Sequence, residues 1–67
     1  MYKYSKLRGR IVEKFDTQEA FAKEIGKTPV YVSLKLSQKS RFNQSTIELW
    51  ARALDIPVSE YGEYFFA

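Results

Sequence analysis

The sequence contains no cysteine and no histidine. Without cysteine there is neither a disulfide nor a thiolate metal site. Without histidine the commonest general base and the commonest zinc ligand are both missing. No apolar run approaches the roughly 20 residues of a membrane span. The opening stretch "MYKYSKLRGR" is basic but has no apolar segment behind it, so it does not read as a signal peptide. Only three glycines are present, and none belongs to a glycine-rich loop. The carboxylates Glu13, Asp16, Glu19 and Glu24 have no histidine, phosphate loop or metal motif beside them, so they read as caps and surface charges. The expectation is a protein that is not an enzyme, with no catalytic residue, metal, cofactor or small-molecule substrate, and no membrane association.

What is present fits one small domain spanning residues 1–67. At 45% hydrophobic and 16% aromatic residues, the chain is too apolar to stay disordered and can build a modest core. Charge is unevenly spread. Residues 1–41 hold ten Lys/Arg against four acids, a net +6, whereas residues 42–67 hold one Arg against four acids, a net −3. The front half suits a polyanion and the back half does not. Solvated helix faces are the alternative explanation for the lysines.

Periodicity predicts five helical segments and no strand. The first runs from about Ser5, a candidate N-cap, to Lys14, with Leu7, Ile11 and Phe15 on one face and Val12 beside them. The second begins at Asp16 or Thr17, turns Phe21, Ala22 and Ile25 inward and ends before Gly26. The third has Thr28 as N-cap and Pro29 at its first position, where proline costs nothing, and ends near Ser37–Gln38. A loop, "SQKSRF", follows. The fourth is capped by Asn43, buries Ile47, Trp50, Ala51 and Leu54, and stops at Asp55-Ile56-Pro57. The last piece, "VSEYGEYFFA", is short, aromatic and interrupted at Gly62. Some of Tyr2, Tyr4, Tyr61, Tyr64, Phe65 and Phe66 would pack this segment onto the first helix, and others are candidates for a dimer contact. The fold class is therefore all-α, a bundle of about five short helices.

Segments two and three meet the steric demands of a helix-turn-helix over about residues 17–36. Ala22 is small where the third segment crosses the second, Gly26 tolerates left-handed geometry in a three-residue turn, and Val32 anchors the third segment in the core. "TQEAFAKEIGKTPVYVSLKLSQKSRF" resembles the helix-turn-helix of the Cro/C1 (lambda-repressor-like) family. With "YSKLRGRIVEKF" before it and "LDIPVSEYGEYFF" after it, nearly the whole chain is similar to small phage proteins of that family, either modulator-of-repression antirepressors or Cro-like proteins. The resemblance implies a transcriptional regulator of the lysis–lysogeny switch working in the host bacterial cytoplasm. It implies that Gln18 touches phosphate, that Thr28, Pro29, Val30, Ser33 and Leu34 face the major groove, and that Lys39, Ser40 and Arg41 grip the backbone. Lys27 is a further candidate, for DNA or, with Lys35, Lys39 and Arg41, for acids at the rim of a protein partner.

The third helix departs from that pattern. At roughly 100° per residue, Val32 and Leu36 share one face while Val30 and Leu34 lie roughly opposite. Lys35 stands where the family has an aliphatic core residue, and Leu36 is placed to replace it. The outer stripe is Pro29, Val30 and Leu34, flanked by Tyr31, Ser33 and Lys35, and it holds no Arg, Asn or Gln to make bidentate base contacts. Three readings stay open: a protein-binding surface, contact with thymine methyls, or a rotated helix with one of these residues in the core. The first is preferred. In it, Pro29, Val30, Tyr31, Leu34 and Lys35 bind a phage repressor's DNA-binding domain, in a heterodimer or mixed complex, and block or redirect its operator binding. The alternative is a Cro-like repressor that binds operator double-stranded DNA directly as a homodimer.

Overall fold

The computed structural model describes residues 4–37 and 42–66. Its helices are α1 (Ser5–Phe15), α2 (Gln18–Glu24), α3 (Pro29–Ser37), α4 (Gln44–Leu54) and α5 (Tyr61–Phe65), with a single 3₁₀ turn at Val58–Glu60 leading into α5. Among the described residues there is no strand, in agreement with the all-α expectation.

Local chemistry explains most of the boundaries. The Thr17 hydroxyl accepts the Ala20 N–H at 3.1 Å and starts α2, and the Thr28 hydroxyl accepts the Tyr31 N–H at 3.1 Å and starts α3. The Asn43 carboxamide oxygen accepts the Thr46 N–H at 2.8 Å and starts α4. Gly26, at φ 74°, ends α2 in a Schellman turn: the Lys27 N–H donates to the Ala22 carbonyl at 2.8 Å and the Gly26 N–H to the Lys23 carbonyl at 3.2 Å. Asp55 repeats that geometry after α4 at φ 55°, with the Ile56 N–H reaching the Ala51 carbonyl at 2.9 Å.

Five details differ from expectation. Ser5 is the first residue of α1 and not its cap. Tyr4 holds that position at φ 56° and offers no side-chain cap bond. Its ring is fully buried, edge-on to Phe42 at 5.3 Å, and that burial outweighs the cap that Ser5 would supply. Asp16 is not the N-cap of α2 but the C-cap residue of α1. At φ 69° it makes a tight γ-turn in which the Thr17 N–H donates to the Phe15 carbonyl at 2.8 Å. Val12 is 56% exposed, because the buried stripe of α1 narrows to Leu7 and Ile11, with Phe15 partly covered. Gly62 lies inside α5 without interrupting it. Residues 25–28 separate α2 from α3, one more than a three-residue turn.

The core is aromatic and draws on every helix. Trp50 sits at its centre, fully buried, with Phe21 at 4.9 Å, Phe42 at 4.8 Å and the Tyr31 ring at 6.5 Å. Phe42 also meets Phe65 edge-on at 5.3 Å, which ties the C-terminal helix to the same cluster. These tilted and edge-to-face contacts follow the ring quadrupoles. Tyr4, Tyr64 and Phe65 are buried and α5 packs on α1, as the aromatic count suggests. Phe66 is 44% exposed.

Two arginines on α1 hold α3 and α4 by their C-terminal ends. The Arg8 guanidinium donates to the Leu36 carbonyl of α3 at 2.8 Å. Arg10 donates to the Leu54 carbonyl at 2.9 Å and to the Asp55 carbonyl at 3.1 Å, at the end of α4. Carbonyls left free at a helix C-terminus carry partial negative charge, so a cation is favoured there. Lys14 reinforces the second junction through an ion pair with Asp55 at 2.6 Å.

Candidate functional site

The α2–turn–α3 unit carries most of the expected site residues. α2 packs against α3 with Phe21, Ala22 and Ile25 buried on one side and Val32 and Leu36 on the other. This arrangement orients α3. With Val32 and Leu36 locked inside, positions two residues away must point outward. Val30 is 64% exposed and Leu34 48% exposed. The reading in which a rotated helix takes one of them into the core is therefore wrong, and Leu36 is the residue that fills the expected core position.

The surroundings of that aliphatic pair are asymmetric. One side carries Tyr31 and Lys35 of α3 and Lys27 from the turn before it. The Lys27 ammonium lies 5.4 Å from the Tyr31 ring centre, and the Lys35 ammonium lies 5.9 Å from the same ring and 5.8 Å from Phe42. Tyr31 is half-buried against Trp50, and Lys35 is half-buried beside it. This is how a lysine occupies a position suited to an aliphatic residue. Its stem lies along the aromatic edge of the core while its charge stays at the surface. The other flank carries Ser33 and Ser37, and the Ser37 hydroxyl donates to the Ser33 carbonyl at 2.8 Å.

The remaining expected contacts are scattered around this face. Gln18 is partly exposed at the first position of α2. Pro29, Thr28 and Ser33 are exposed, though the Thr28 hydroxyl is committed to capping α3. Lys39, Ser40 and Arg41 lie outside the described residues. Among the described residues no three acidic or sulfur- or imidazole-bearing side chains gather as a metal site, and no helix is long and apolar enough to cross a membrane.

A family model described as "protein of unknown function (DUF739)" matches residues 1–67. The chain belongs to this family. It is also similar to the solution structure of the modulator of repression (MOR) of the temperate bacteriophage TP901-1 from Lactococcus lactis. The two share 37% sequence identity and superpose with a TM-score of 0.85, over 97% of this chain and 88% of the other. No curated protein sequence matches.

Two residues of this DUF739 chain belong beside the candidate face and escaped the sequence reading. Arg8 fixes the C-terminal end of α3 from 28 residues away, and Phe42 supports Lys35 from beyond the following loop. A link across so many residues leaves no mark in local periodicity. The one available signal was the excess of basic residues in the first helix, which reads equally as solvated surface.

Proposed function

We propose that this protein is a phage modulator of repression, an antirepressor acting in the lysis–lysogeny switch. It would bind the phage repressor's DNA-binding domain and block or redirect its operator binding. The likeness to the phage modulator of repression supports the role. The observation that carries the mechanism is the exposure of Val30 and Leu34 on the helix that a DNA reader would turn to the bases. Two aliphatic side chains held in water on a rigid helix cost free energy that a partner's apolar pocket would recover, at roughly 25 cal/mol per Å² buried. In this reading Val30 and Leu34 are the anchors, Pro29 and Tyr31 border them, and Lys35 meets acids at the rim. The whole chain acts as one helix-turn-helix domain of the Cro/C1 type in the bacterial cytoplasm.

A second reading keeps the protein on DNA. Gln18, Lys27, Thr28 and Ser33 would contact operator together with Lys39, Ser40 and Arg41. A homodimer would place two copies of α3 roughly 34 Å apart. The exposed Val58, at 75%, offers apolar surface for such a dimer.

A gel-shift series separates the two. Operator DNA is titrated with this protein alone, with the repressor encoded beside it, and with both. The modulator reading expects no shift alone and loss or change of the repressor's shift when both are present. A shift by the protein alone at nanomolar concentration in physiological salt supports the DNA reading instead. Leu34→Glu and Val30→Glu should each abolish the effect on the repressor while leaving the thermal melt intact, since both positions are exposed.

A further inference from the structure

The two flanks of α3 differ in charge, and that difference carries information about the partner. Lys27, in the turn before α3, and Lys35, on α3, both bring their ammonium groups to the Tyr31 ring and so stand on one side of the α3 face. Neither is in an ion pair among the described residues, whereas Lys6, Arg10 and Lys14 are paired with Glu63, Glu13 and Asp55. A ring face holds an ammonium in place without neutralising it. Both charges are thus positioned and still available. On the opposite flank Ser33 and Ser37 are neutral, and the Ser37 hydroxyl is turned back onto its own helix.

A helix lying in a DNA major groove has a phosphate backbone along each side, so a DNA reader profits from cations on both flanks. α3 supplies them on one. We infer that its outer face fits a protein cleft that is apolar along its floor and acidic along one wall only. The wall carries carboxylates spaced to meet Lys27 and Lys35, and the floor takes Val30 and Leu34. Docking with the lysine flank on the wrong side would leave carboxylates facing serines and two ammonium groups facing an uncharged wall. The asymmetry therefore fixes one direction of docking. This inference rests on the modulator reading and deepens it by naming the chemistry of the partner surface.

The test is calorimetric titration of the full chain into the repressor encoded beside it, with a mixed-sequence 20-base-pair duplex in a parallel arm. Lys27→Glu and Lys35→Glu should each weaken repressor binding about tenfold at roughly 0.1 M salt, while Ser33→Lys and Ser37→Lys stay within about twofold of wild type. Lys35 is half-buried, so its variant counts only with an unchanged circular-dichroism melt. Lys27 is exposed, and its variant carries the test alone if the other unfolds. Less than twofold loss in Lys27→Glu, or a tightening of threefold or more in the serine-to-lysine variants, overturns the one-sided wall and leaves the modulator reading standing. Failure of the wild type to bind repressor, or full binding by Leu34→Glu, overturns both. Preferential binding of the duplex, tightened by the added lysines, overturns both in favour of DNA.

Discussion

Single residues set the turn that aims α3. Gly26 at φ 74° closes α2, and nothing lies within 4 Å of where a Cβ would stand. Alanine there meets no neighbour and suffers only the backbone cost of a left-handed conformation. Gly26→Ala should therefore lower stability by about 1–2 kcal/mol. Gly9 gives the matched control, since it sits inside α1 with open space around it. Gly9→Ala should raise stability by about 0.5–1 kcal/mol through helix propensity. Urea unfolding of the two variants beside wild type checks both signs. Equal effects would mean that Gly26 is not needed for its backbone freedom. The neighbouring glycine of the turn motif was legible in the sequence because local sterics dictate it. Asp16 and Asp55 at positive φ were not, since aspartate marks caps far more often than left-handed turns.

At the scale of elements, α1 acts as a strap across the C-terminal ends of α3 and α4. Arg10 alone makes two hydrogen bonds to carbonyls at the end of α4, and its side chain is 25% exposed. Arg10→Met keeps most of the apolar stem and deletes the donors. It should cost about 1–2 kcal/mol, the range for hydrogen bonds to a charged group after discounting for solvent. If the proposed function holds, repressor affinity should be unchanged, because α4 does not carry Val30 or Leu34. A drop in repressor affinity without loss of stability would show that the strap serves binding. The sequence placed the helices correctly because the buried stripes repeat at the helical period, as in α4, where Ile47, Trp50, Ala51 and Leu54 are all buried. It did not reveal the strap, which joins residues 44 and 45 positions apart.

For the whole molecule, two ion pairs make stability depend on pH at opposite ends of the scale. The hydrogen bond and charge of Lys14 hold the Asp55 carboxyl below its ordinary 3.8, with Arg10 adding to them. A depressed carboxylate stabilises the fold above its ordinary value, and that contribution is lost as pH falls through the lowered one. The hydrogen bond from Lys6 to Glu63 raises the Lys6 ammonium above its ordinary 10.5, so its contribution is complete below that value and lost as pH rises through the raised one. Both pairs are exposed, so the effects should be small and screened by salt. Denaturation midpoints measured from pH 2 to 6 should fall toward the acid end, and Asp55→Asn should flatten that fall. An unchanged acid limb in Asp55→Asn would place the pH dependence elsewhere.

The sequence alone determined the helical segments, the Thr28 and Asn43 caps, the glycine turn and most of the buried face of each long helix. Each of these depends on residues within a few positions of one another. It also narrowed the outer face of the third helix to three readings. Tertiary packing eliminated one of them, because the burial of Val32 and Leu36 sets the rotation of the helix, and that burial depends on a core assembled from every helix. Only the folded chain brought Phe42 under Lys35 and Arg8 against the end of α3. Those contacts cross the chain, and no local pattern encodes them. The one-sided charge of the α3 face belongs to both levels. Its residues are spaced by the helical period, and aromatic rings from different segments hold its lysines in place.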